Sequence, residues 1–420
     1  MNGKSPLRTL LADTRGNVLM LSALAMPLMI GAAGLAMDTV QLTLIQRQMQ
    51  RQADSAALAG ALAKAQGAAV ASAANSSIAR DSQVALSKTP VIENAPTAGS
   101  YAGNTGAVRV IIESTQTQVF SDMFRSKPPT LRVEATAASM TNGNYCVVSL
   151  EKSSAVGITM QGSAGIDMGC GLATNSKGVP AVTTGGASTV KVSHVAAVGG
   201  LKSSVNYAAN TVLLPYAIPQ KDPFATLPTP TVPAGCNAQL NVQPNAVVNV
   251  SNPSGTACYR GMNIKGTVTF APGTYIIDGG TVSFGAQAVV NGSGVTFVLT
   301  SATATGNPSS VATLDMNGGA KVNLTATTTG TYAGVLFYQD RRAAAGTTNS
   351  VNGNALSKFQ GAFYFASQDL SFSGDSGMTT DCVQLVSRRV TFIGNTNIVN
   401  VCPVDSGAGS FIGTRVFLVG

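Results

Sequence analysis

The chain has one histidine, His194, and no tryptophan, and only 10% of its 420 residues are charged. Each shortage excludes something. A Ser-His-Asp triad needs a histidine beside its nucleophile and a carboxylate behind it, and His194 sits in KVSHVAAVGG with no supporting motif. Zinc sites need clustered Cys and His ligands, and the six cysteines form no Cys-x-x-Cys pair. The formal charge of +8 is spread without a Lys/Arg stripe or basic–aromatic interleaving, so nucleic acid is not expected as a partner. No P-loop or dinucleotide fingerprint occurs, and no cofactor or metal is expected. The mild positive balance is compatible with an acidic surface such as anionic lipid or wall polymer.

What is abundant is glycine, with 45 residues, and beyond about Ser100 also Ser, Thr, Asn, Ala and Val. That mixture is too apolar and valine-rich for disorder. It predicts many short strands joined by Gly/Asn/Ser turns.

The N-terminal stretch RGNVLMLSALAMPLMIGAAGLAMD contains 20 residues without a charge, Val18 to Met37. A helix of that length rises about 30 Å, the thickness of a bilayer core. Lys4, Arg8 and Arg15 precede the run and Asp38 follows it, so the positive-inside rule puts the N-terminus in the cytoplasm. Pro27 is tolerable in a membrane helix as a kink. A buried core helix and a cleaved signal with Gly34-Leu35-Ala36 at the cut are the competing readings.

The next segment, Asp38 to Ala65, has no proline and no glycine before Gly60. Leu42, Ile45, Met49, Ala53, Ala56, Gly60 and Ala63 recur at helical spacing. Arg51 and Asp54 are placed for an i,i+3 pair. An amphipathic helix therefore continues the apolar one, which argues that the anchor stays. It packs on its own domain or bundles with partners.

Arg15-Gly16-Asn17, an apolar run with Pro27, Gly-Leu-Ala at 34–36, Asp38 and then RQMQRQADSAALAGA together resemble the TadE/TadG-like proteins of bacterial tight-adherence (Flp-type) pilus systems. The resemblance covers roughly residues 12–65. It implies a pilin-like, single-pass inner-membrane protein, with the lipid bilayer and other pilus-assembly or pilin-like proteins as partners. Processed pilin-like members carry Gly before the cut and Glu five residues on. Here Gly16 is followed at that position by Leu21, and the first glutamate is Glu93. An uncleaved anchor is favoured.

Residues 66–100 read as a loop-rich connection. AVRVIIES (107–114), a piece with room for two helical turns (117–124) and LRVEATAASM (131–140) suggest a small α+β unit, compatible with a pilin-like head.

From Tyr145 onward, apolar-alternating strings of four to eight residues end in Gly, Asn or Ser. A β-sandwich or barrel and a right-handed parallel β-helix both fit. Cys146/Cys170, Cys236/Cys258 and Cys382/Cys402 are separated by 24, 22 and 20 residues. A β-helix coil takes roughly 20–25 residues, and stacked strands lie about 4.8 Å apart, within disulfide reach. Three disulfides between neighbouring coils are expected, out of fifteen possible pairings. The string CVQLVSRRVTFIGNT also looks like the long C-terminal region of TadG-like proteins. Six prolines between Pro215 and Pro233 mark an excursion between coil blocks or a boundary.

Three motifs invite chemistry. Larger relatives in the family often carry a von Willebrand type A domain, whose metal site needs Asp-x-Ser-x-Ser before a helix. Asp369-Leu370-Ser371-Phe372-Ser373 has that pattern but reads as a strand. Gly374-Asp375-Ser376-Gly377 echoes a serine protease and reads as a turn. Asp340, Arg341 and Arg342 form the densest charge cluster of the distal half. They read as a solvated corner, or as a site for cell-wall or surface glycan.

The expected organisation is a cytoplasmic tail (1–16), a transmembrane helix (17–37; Val18, Pro27 and Met37 in the anchor), an amphipathic helix with a small α+β unit (38–144), and an all-β, β-helix-like periplasmic domain (145–420) with the proline-rich excursion 215–233. The expected function is a non-catalytic structural or assembly part of a tight-adherence pilus system. The alternative is a membrane-tethered glycan-binding adhesin or polysaccharide lyase or hydrolase.

Overall fold

The computed structural model describes residues 17–81, 83–353, 356–374, 379–394, 397–400 and 411–419. The chain divides into two compact units, Met1–Met140 with Val416–Gly420, and Thr141–Arg415.

The first unit is built on one helix, α1 (Asn17–Ala65), with Pro27 inside it. It is long and apolar enough to cross a membrane once. Leu21, Leu24, Leu28, Met29 and Ile30 are all exposed, so the uncharged run offers apolar side chains without a protein partner. Further along, Met49, Ala53, Ala56, Ala57 and Ala61 are fully buried. They pack with Val108, Val110, Ile112, Val133 and Ala135. The small residues let the helix approach closely: a Cβ on Gly60 would meet Val108 at 2.9 Å. Asp54 accepts a hydrogen bond from Gln50 at 2.9 Å, which replaces the expected partnership with Arg51.

The segment expected to be loop-rich contains a second helix, α2 (Val70–Arg80). Alanine is the best helix former, and Ala74 and Ile78 supply a buried face. The Gln52 amide caps its end, donating to the Ile78 and Asp81 carbonyls at 3.1 and 2.7 Å. Strands β1 (Val91–Asn94), β2 (Ala107–Thr115) and β3 (Thr130–Ser149) complete an antiparallel sheet. Its other face carries a charge ladder in which Arg109 lies 2.6 Å from Glu134 and 3.5 Å from Glu93. The stretch expected to make two helical turns is instead a single 3-10 turn, Ser121–Met123.

The second unit is a β-solenoid. Short strands pair in parallel with strands one coil away, in three stacks. One inward column runs Tyr275, Phe297, Phe337, Phe363, Leu385, Val147, Leu172, Val195. Its rings stack with centroids 5.5, 5.1 and 5.2 Å apart. On another stack the outward column is polar throughout: Asn241, Asn263, Ser283, Asp315, Ser350, Ser371, Thr391, Thr159, Thr183. Period-two alternation thus gives the strands of this stack a core side and a wet side.

The coils are not in sequence order. Residues 145–149 enter the solenoid in its middle. From there coils proceed to Val212–Leu214, which pairs with His194–Ala196. The chain then leaves through the proline-rich segment, returns to the opposite end, and starts again at Leu240–Val242. The second block advances until Leu385, Val386 and Ser387 pair with Val147, Val148 and Ser149. Across this seam the stacking is regular. Even the corner glycines align: Gly394, Gly162 and Gly186 have φ of 82°, 75° and 64°. A Cβ on Gly186 would lie 2.6 Å from the Gly162 carbonyl oxygen, so the corner is reserved for glycine.

Candidate functional site

The proline-rich excursion, hereafter the strap, lies along the outer side of one stack. Ala217 donates to the Ala197 carbonyl at 2.8 Å. The Asn175 amide holds Gln220 by two bonds of 2.8 Å. Further on, Phe224 meets the ring of Tyr364 edge-on at 5.3 Å. Under the strap the outward column is apolar, with Val298, Tyr338, Tyr364, Val386, Val148, Ala173 and Ala196 buried together with Leu214, Ala217, Phe224 and Leu227. An outward stack face has become a second core.

The Asp340–Arg341–Arg342 cluster is the clamp on this strap. Arg341 Nε donates to Tyr364 Oη at 2.7 Å, and Nη1 donates to the Leu227 carbonyl at 3.1 Å. Its Nη2 donates to the Phe224 carbonyl. The guanidinium lies over the Tyr338 and Tyr364 rings, 5.8 and 5.6 Å from their centroids. Tyr364 Oη in turn donates to Asp222 of the strap at 2.7 Å. Arg342 grips Asp340 with Nη2 to Oδ2 at 2.5 Å and reaches the Pro230 carbonyl at 3.3 Å.

Asp340 is almost fully buried. Burial alone would raise its pKa, but hydrogen bonds from Arg342 and from Thr300 (2.7 Å) outweigh it and hold the carboxyl below the usual range. Tyr364 moves far upward, because it is buried and donates to the Asp222 carboxylate. The cluster thus grips the strap, with its arginine donors committed to the Phe224, Leu227 and Pro230 carbonyls, the Tyr364 and Thr305 hydroxyls and the Asp340 carboxylate. Beside it, a cleft of about 560 Å³ is lined by Thr229, Thr231, Thr256, Thr274, Thr331 and Tyr332 among others.

Two disulfides join neighbouring coils. Cys146 bonds Cys170 with Cα atoms 5.7 Å apart, and Cys236 bonds Cys258 with Cα atoms 4.8 Å apart. Cys382 is fully buried, and Cys402 lies outside the described residues. So does the Asp375–Gly377 part of the protease-like motif. Asp369 of the Asp-x-Ser-x-Ser motif lies within a strand (Lys358–Gly374) and pairs with Arg388 at 2.8 Å. Among the described residues, no three His, Cys, Asp or Glu side chains gather as a metal site would require. Val18, Pro27 and Met37, expected in a membrane anchor, all fall within α1, and Met37 is exposed.

His194 is buried beside Tyr145, ring centroids 4.8 Å apart. Ser193 Oγ contacts its Nδ1 at 2.9 Å, while Nε2 has no hydrogen-bond partner among the described residues. Burial, with Arg415 nearby, lowers its pKa to about 4. It is a neutral core side chain, and among the described residues no carboxylate stands behind it as a triad would require.

Two partners of the clamp, Asp222 and Tyr364, escaped the sequence reading, as did an ion pair at the seam between Glu151 and Arg389. Their sequence neighbourhoods carry no motif. Only the fold brings together residues more than a hundred positions apart.

No protein-family model, curated protein or solved structure matches the chain.

Proposed function

We propose that this chain is a membrane-anchored, non-catalytic structural or assembly component of a bacterial tight-adherence pilus system. The N-terminal helix serves as a single inner-membrane span with its N-terminus in the cytoplasm, and the β-solenoid stands in the periplasm. The observation that carries this reading is the two-part character of α1. From Leu21 to Ile30 it exposes its apolar side chains all round, and the same unbroken helix then buries Met49, Ala53, Ala56, Ala57 and Ala61 against an antiparallel sheet. Helix and sheet share one unit and one core, so the apolar part is a built-in element of that unit. The charge order, with Lys4, Arg8 and Arg15 before the run and Asp38 after it, supports the orientation. Inter-coil disulfides suit an oxidising compartment.

The glycan-binding alternative gains nothing from Asp340, Arg341 and Arg342, since their hydrogen bonds hold the strap.

The test joins fractionation to phenotype. The protein is expected in the inner membrane with Val18–Met37 intact by mass analysis, and its deletion is expected to abolish surface pili while pilin is still made. A soluble periplasmic product beginning near Met37 would remove the anchor. Normal piliation in the deletion strain would remove the pilus role.

A further inference from the structure

A fixed loop with exposed apolar side chains lies beside the helix. The loop between β2 and β3, residues 116–129, is tied to α1 at the turn where the uncharged run ends. Asp38, 1% exposed, accepts hydrogen bonds from the Phe120 and Ser121 backbone N–H groups at 3.0 and 2.6 Å. The Phe120 ring lies directly on Gly34, where a Cβ would come within 2.4 Å of it. Within the loop, Asp122 accepts from the Gln118 N–H at 2.8 Å and closes the turn.

This fixed loop turns its apolar side chains outward. Val119, Met123 and Phe124 are 73%, 77% and 83% exposed. Arg125 and Lys127 follow at once and are also exposed. A loop that only closed a hairpin would gain by burying these apolar groups or replacing them with polar ones. Their height on the helix explains them. They stand level with Gly34–Asp38, where exposed Leu35 and Met37 end the apolar run.

We propose that loop 116–129 docks on the outer leaflet of the bilayer that α1 crosses, with Val119, Met123 and Phe124 in the interface and Arg125 and Lys127 on lipid phosphates. The inference rests on the single-span reading of α1 and deepens it. Apolar and aromatic side chains beside basic ones are what an interfacial segment uses. The occupant is lipid because the patch continues the apolar surface of the span. The contact would fix the tilt and rotation of the first unit on the membrane, which one helix alone leaves free.

The absence of tryptophan makes the test direct. Phe124→Trp and, separately, Leu28→Trp are introduced in the full-length protein and reconstituted in phospholipid vesicles. Each variant then carries a single indole, one in the loop and one in the span. Brominated lipids are expected to quench both, and emission from the loop indole is expected to shift to the blue. Adding Arg125→Glu and Lys127→Glu to the Phe124→Trp protein should weaken its quenching several-fold in vesicles containing anionic lipid. Quenching of the span indole without the loop indole would overturn the loop contact and leave the span standing. Quenching of the loop indole without the span indole would keep the loop contact and remove the span. Protection of the loop indole from aqueous iodide without quenching by brominated lipid would assign the patch to protein, such as a second copy of the chain, and overturn the proposal.

Discussion

Arg389 Nε lies 2.7 Å from Oε2 of Glu151, although 238 positions separate the two residues. The pair bridges the seam where the last coils of the solenoid meet the first. Around it Leu150 donates to the Ser387 carbonyl at 2.8 Å, and Val390 donates to the Gly157 carbonyl at 3.0 Å. Burial alone would raise the Glu151 pKa, but the Ser153 N–H and the Arg389 guanidinium outweigh it and lower the value to about 2. A depressed acid stabilises the fold above its unfolded pKa, near 4.5, and that contribution is lost as pH falls from there to about 2. Arg389 is 35% exposed, so the contribution is set at about 2 kcal/mol. Arg389→Ala leaves a buried carboxylate with one backbone donor. It is expected to destabilise by about 2–3 kcal/mol at neutral pH and to flatten the loss between pH 4.5 and 2. Urea unfolding across that window checks both.

The seam also predicts how a cut strap behaves. The two coil blocks are held together by parallel pairing of residues 385–387 with 147–149 and of 390–392 with 158–160, not by the strap alone. A protease site inserted near exposed Thr226 and cleaved in the folded protein should leave both fragments co-migrating under native conditions. Their separation in unfolding conditions only is the expected result. Fragments that part on cleavage would refute a seam of this strength.

The solenoid was readable because its determinants are local. Each strand carries its own alternation, and cysteines spaced by about one coil report the repeat. The order of the coils was not readable. Nothing near Tyr145 says that its strand will meet residue 385, since parallel pairing has no sequence signature beyond apolar alternation. The cluster at Asp340 was visible for its charge, but its role depends on Phe224, Leu227 and Pro230 lying over it. In α2, helix propensity was hidden in an Ala/Ser composition that reads equally as a linker. Phe120 and Asp38 were separated by 82 positions, so their bond was invisible too.

The strap clamp should respond to small changes. Tyr364→Phe removes the hydroxyl that accepts from Arg341 and donates to Asp222, leaving the ring contacts in place. A loss of about 1–2 kcal/mol is expected. Arg341→Ala removes that bond, two carbonyl contacts and the ring stacking, and about 3 kcal/mol is expected. The strap should also become open to proteolysis at Lys221, which is already exposed. Equal cleavage rates in Arg341→Ala and the parent would show that the arginine does not hold it.

His194 provides a second pH response with a different window. Its folded pKa of about 4 lies below the ordinary 6.5. The neutral form is therefore the one that fits the fold. The stability is complete above pH 6.5 and falls as pH drops toward 4, by up to about 3 kcal/mol. His194→Gln keeps a polar side chain that never charges, and it should remove the slope between pH 6.5 and 4 while retaining the one assigned to Glu151. An unchanged slope in this variant would assign the effect elsewhere.

The two described disulfides should differ in their resistance to reduction. Cys146 and Cys170 are both buried beneath stacked coils. Cys236 is only partly covered, at the point where the strap delivers the chain to the first coil of the second block, and its partner Cys258 is buried. A thiolate must reach a sulfur to exchange with it, so mild reductant should open Cys236–Cys258 first. Its two cysteines are 22 positions apart, and chain entropy sets its contribution at about 3 kcal/mol. Cys236→Ser with Cys258→Ser should lower stability by about that amount, fray the coil at Asn237–Tyr259 and leave the seam intact. Peptide mapping after alkylation gives the order of opening, and hydrogen exchange locates the fraying. If Cys146–Cys170 opened first, the coils over it would have to separate before the strap end does, contrary to the burial of its sulfurs.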